Sequence, residues 1–76
     1  MMLYAYINQN IDRIRHEVTL GIVPCSVLRH WEIYNRFDAY KKMNYPVSDA
    51  VLNTSSDMRC CESLVFKIVK KMEQPA

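Results

Sequence analysis

Apolar side chains recur along this chain at helical spacing, in separable blocks. In the first, Leu3, Ile7, Ile11, Ile14 and Val18 follow one another by four, four, three and four positions, the period of one face of an α-helix. Asp12, Arg13, Arg15, His16 and Glu17 fill the other faces. The block predicts an N-terminal helix within residues 1–20, running from about Leu3 to Thr19. Asn8 and Asn10 weaken its start, and Asn10 offers a cap to a shorter helix beginning at Ile11. Gly21 suits the left-handed residue that ends a helix. Pro24 stops continuation and fits the opening of the next helix, with Ser26 as a further capping side chain. A second helix is predicted over residues 24–43, where Val27, Leu28, Trp31, Tyr34, Phe37 and Tyr40 form a broad apolar face with Ile33 at its edge. Trp31, the one tryptophan, is expected at the centre of the core, because so large a ring buries the most surface.

Asn44-Tyr45-Pro46 closes the second helix, since a residue before proline is driven out of the helical region. Pro46 opens a third, with Ser48 and Asp49 supplying a cap and an acid at its positive end. Val47, Ala50, Val51, Thr54 and Met58 line its apolar face, a break follows at Arg59-Cys60-Cys61, and Val65, Ile68, Val69 and Met72 repeat the spacing. Two short helices with so tight a joint must cross steeply and share a core, so residues 46–73 read as a helix-turn-helix. That motif needs a small residue, a turn residue four positions later, an apolar plug directly after it, and two sealing residues in the second helix. Ser55, Arg59, Cys60, Val65 and Ile68 stand in those places. Arg59 occupies a position usually held by glycine, at a cost of about 1 kcal/mol for a left-handed backbone. Cys61 stands where Ser or Thr usually caps the second helix.

Glu32 to Phe37, Ala50 to Met58 and Glu62 to Met72 resemble the small helix-turn-helix proteins of bacterial phages and mobile elements, of the transposase and Mor-activator types. The resemblance covers about residues 31–73. It implies that Glu62, Ser63, Leu64 and Lys67 face bases in the major groove of double-stranded DNA, and that Lys70 and Lys71 meet phosphates. The second helix has no arginine, the residue that most often reads guanine, and Leu64 and Phe66 are apolar where polar readers are common.

The 76 residues suffice for one small domain, and a hydrophobic fraction of 50% with one glycine and three prolines points to a helix-rich fold. The net charge is +2. Residues 1–58 carry six basic and six acidic side chains, whereas residues 59–76 carry four basic and two acidic, so the excess lies at the second half of the motif. A solvated Lys-rich helix end, favourable to the helix dipole, accounts for that excess equally well. No apolar run approaches the ~18 residues of a membrane span, and the apolar start lacks the basic flank of a signal peptide. Three cysteines, two of them adjacent, do not suggest a disulfide framework. A cytoplasmic setting is expected. No Cys or His pair has zinc-ligand spacing, no nucleophile–base set is legible, and a single glycine argues against a phosphate-cradling loop. Neither a cofactor nor an enzyme activity is expected.

The sequence therefore predicts an all-α, single-domain bundle of about four helices with a C-terminal helix-turn-helix. The expected function is DNA binding in transcription regulation. A second expectation is a helical protein-interaction or dimerisation module in which Leu64 and Phe66 dock to a partner. The N-terminal stripe likewise has two readings, packing on its own domain or forming a homodimer seam.

Overall fold

A computed structural model describes residues 1–75, and among these the chain is all helical: α1 (Leu3–Gln9), α2 (Ile11–Thr19), α3 (Ser26–Lys42), α4 (Val47–Met58) and α5 (Glu62–Met72). None of these helices is long and apolar enough to cross a membrane. There are five helices rather than about four because the first expected helix is broken at Asn10. The Asn10 backbone leaves the helical range at φ −113° and ψ 19°, and its side-chain amide donates to the Tyr6 carbonyl at 2.8 Å. An asparagine that bonds its own backbone competes with the helix at that point. It does so without capping α2, which starts with no side-chain cap.

The expected stripes pack inward. Ile7 and Ile14 are buried, with Leu3, Ile11 and Val18 partly buried against them. The N-terminal stripe thus spends its apolar surface on its own chain. Ile33, Tyr34 and Phe37 of α3 are buried, as are Ala50, Val51, Thr54 and Ser55 of α4 and Val65, Ile68 and Met72 of α5. Val47, by contrast, lies half exposed at the start of α4. Helix α3 packs against α4, α5 and α1, and α5 packs against α3, α4 and α1. The Leu3 N–H donates to the Gln74 carbonyl at 2.7 Å, which ties the start of α1 to the end of α5.

Ile33, Ala50 and Val65 have no exposed surface, whereas Trp31, expected at the centre, is only partly buried. The Trp31 ring lies beneath Arg15, whose guanidinium sits 5.4 Å from the ring centroid, a cation–π geometry. Its indole N–H is enclosed without an acceptor. Burying the whole indole would enclose more surface around an unpaired N–H, a cost that aliphatic Ile33 does not carry.

Three helix ends share one device. Gly21, Asn44 and Arg59 all have left-handed backbones, at φ 80°, 67° and 53°. After each, the next residue's N–H reaches back to a carbonyl five positions earlier: Ile22 to Glu17, Tyr45 to Tyr40 and Cys60 to Ser55. This is the Schellman arrangement, which satisfies carbonyls that a helix end leaves open. The ring contact between Tyr40 and Tyr45, 5.3 Å between centroids, is the apolar contact that accompanies it.

Candidate nucleic-acid interface

Helix α5 is held from one side only. Val65 and Met72 are almost fully buried and Ile68 nearly so, and these positions share one face at about 100° per residue. On the same geometry Ser63, Phe66, Lys67 and Lys70 lie on the opposite side. All four are exposed, Phe66 by 50%. The joint that sets this orientation is short. Arg59 turns the chain, Cys60 tucks partly into the core as expected of a plug, and Cys61 is extended at φ −79° and ψ 154° before α5 begins.

The start of α3 braces the joint. The Arg29 guanidinium donates to the Met58 carbonyl at 2.7 Å, supplying charge and a donor at the negative end of α4. Further along α3, Tyr40 donates to the Asp57 carboxylate, and Arg36 approaches the same group at 3.9 Å. At the far end of α5, the Tyr34 hydroxyl donates to Glu73 at 3.3 Å. Burial, reinforced by the Glu73 charge, pushes that phenol up to about 12.

The residues expected at DNA do not form one surface. Glu62 stands in the first turn of α5, toward the flank occupied by Val69. Leu64 and Lys71 fall on the other flank, with Leu64 partly buried against the core. Lys71 borders a cleft beside His30. Lys67 and Lys70 do share the outward side, and among the described residues neither has an acid within ion-pair distance. The ion pairs found are Arg13–Glu17, Arg36–Asp57 and Lys42–Asp38.

Ser63 is spent on a local contact, its hydroxyl lying 3.4 Å from the Cys61 sulfur. That hydroxyl, above all, holds the exposed Cys61 thiol below its ordinary range. The sequence places Arg59 in the basic excess of this region and in the turn, but assigns it no contact with DNA. It is exposed directly before α5. Among the described residues no group of three or more His, Cys, Asp or Glu side chains converges as metal ligands do.

Comparison with models of known protein families, with curated proteins and with solved structures finds no match to this chain.

Proposed function

We propose that the chain binds double-stranded DNA through a helix-turn-helix made of α4 and α5, with α5 in the major groove, and that it regulates transcription in a bacterium, phage or mobile element. The observation that carries this reading is the two-sidedness of α5. One side is sealed by Val65 and Ile68, and the other holds Lys67 and Lys70 without acidic partners. Free lysines on a rigid helix meet phosphates, and each phosphate neutralised releases condensed counterions. The mutual packing of α3, α4 and α5 supports the reading, because a recognition helix must be fixed by the helices behind it. Arg59 adds charge at the joint. Ser63 is turned toward Cys61, Leu64 is partly buried and Phe66 is apolar, so contacts to phosphates outweigh contacts to bases and sequence preference is weak. A homodimer through the N-terminal helix draws no support from the inward packing of Ile7 and Ile14.

The test is a gel shift with random-sequence duplex at low and at high salt. Binding at low salt that is released at high salt is expected, and absence of binding at low salt rejects the reading.

One observation favours a different class. Phe66 is half exposed on the outward side of α5, and Leu52 is 53% exposed on α4. Exposed apolar residues on neighbouring helices suit a protein partner. On that reading Phe66→Asp dissociates a complex without unfolding the monomer, and changes at Lys67 and Lys70 are silent.

A further inference from the structure

A cleft is bordered on α5 by Lys71 and Met72, not by outward Lys67 and Lys70. It lies among α1, α2, the start of α3 and the last turn of α5, with a volume of about 330 Å³. That is the lower end of the range for small-molecule sites. Leu3, Ile7, Ile14, Val23, Val27 and Met72 make its walls apolar, and Arg13, Glu17, His30 and Lys71 stand at its edge.

The edge is cationic and partly organised. The Arg13 Nε sits 3.4 Å from the Glu17 carboxylate, and its Nη2 donates to the Tyr6 hydroxyl, also a wall residue, at 3.2 Å. Glu17 is therefore already neutralised. A guanidinium has five N–H donors, so Arg13 is held in place with donors to spare. Lys71 has no acid within ion-pair distance among the described residues. His30 is held below its ordinary range by burial first, then by the charges of Lys71 and Arg29, so at neutral pH it adds no charge to the edge. The unbalanced charge of the site is thus one positive charge, beside an apolar hollow.

We propose that this cleft binds a small amphipathic monocarboxylate, its tail against Ile14, Val27 and Met72 and its carboxylate between Lys71 and Arg13. A neutral apolar ligand gains nothing from Lys71 and Arg13, and a cationic amphiphile meets like charge. The inference stands on the cleft alone and does not depend on DNA binding by α5.

The experiment is calorimetric titration of the full chain with decanoate and decyltrimethylammonium below their micelle concentrations and decan-1-ol below its solubility limit. Amide chemical shifts then locate the site. Saturable one-to-one binding of decanoate is expected, with shifts centred on Val23, Val27, Lys71 and Met72. Decan-1-ol binds about tenfold more weakly, the size of one charge-assisted hydrogen bond, and the cation does not bind. Lys71→Met, a change at an exposed position, weakens decanoate binding several-fold and does not weaken decan-1-ol, the remaining preference for the acid lying with Arg13. Absence of saturable decanoate binding overturns the proposal. So do equal affinities for acid and alcohol in the unaltered chain, an unchanged decanoate affinity in Lys71→Met, or shifts confined to the outward face of α5.

Discussion

The chain contains two pairs of consecutive short helices, α1–α2 and α4–α5, and their joints behave differently. At Asn10 the hydrogen-bond ladder almost continues: its N–H donates to the Tyr6 and Ile7 carbonyls, and its carbonyl accepts from Ile14. The result is an interruption of one helical path, and the same apolar stripe serves both halves. At Arg59 the backbone becomes left-handed and the ladder ends in a Schellman closure. The stripe of α4 stops there, and a new one starts in α5. A one-residue interruption and a turn therefore differ less in length than in whether a left-handed residue and an apolar plug follow the last helical turn.

The largest expected effect separates the two pairs by burial. Ile68→Ala in α5 removes a side chain enclosed by α3 and α4. It is expected to cost about 3–4 kcal/mol in urea denaturation, within the range for buried aliphatic truncations. Ile14→Ala in α2 borders an open cleft, where truncation enlarges an existing space, and about 2 kcal/mol, the low end of that range, is expected. Equal losses would mean that α1–α2 is as integral to the core as α4–α5.

The next effect concerns the left-handed positions. Gly21→Ala is expected to cost about 1 kcal/mol although an added Cβ meets nothing within 4 Å, because the φ of 80° is itself unfavourable for an L side chain. Arg59→Gly relieves that strain but frees the unfolded chain, so a gain of at most about 1 kcal/mol is expected. A thermal melt of both variants checks the opposite signs.

Tyr34→Phe tests the clamp between α3 and the end of α5. The folded phenol lies at about 12, against an ordinary 10.0. Its stabilising contribution is therefore complete below pH 10 and is lost as pH rises from 10 to about 12, since the unfolded state releases its proton first. The Phe variant is expected to be less stable by about 1 kcal/mol at neutral pH, the worth of one hydrogen bond. It should also have a shallower alkaline decline between those two pH values. An unchanged decline would remove Tyr34 from the account.

The smallest effect is at the first joint. Asn10→Ala trades a local side-chain bond for a better helix former, and a change within about 0.5 kcal/mol is expected.

These contrasts explain what was legible in the sequence. The inward stripes and the ends at Gly21 and Asn44 are readable because each rests on periodicity or on a local backbone preference. The break at Asn10 was half legible: the residue stood out, but whether it bends or caps depends on which carbonyl its amide finds. The place of Trp31 is not legible, because helical period puts several residues of α3 on one broad face and does not say which lies innermost; the ring is only partly buried, under Arg15, and its N–H stays unpaired there. Within the candidate interface, exposure of Lys67 and Lys70 followed from the helical period. The displacement of Lys71 toward the cleft did not, because the walls of that cleft come from α1, α2, the start of α3 and the end of α5, and no local pattern joins them.

On the proposed function, the outward side of α5 meets DNA phosphates through Lys67 and Lys70. Fluorescence anisotropy of a labelled random duplex, titrated at a series of salt concentrations, tests it most directly when the unaltered chain is compared with a Lys67→Ala, Lys70→Ala double variant. A linear fall of log affinity with log salt is expected, flattened in the double variant by about two units for two lost phosphate contacts. A slope shared by both proteins, or no binding at low salt, would contradict it.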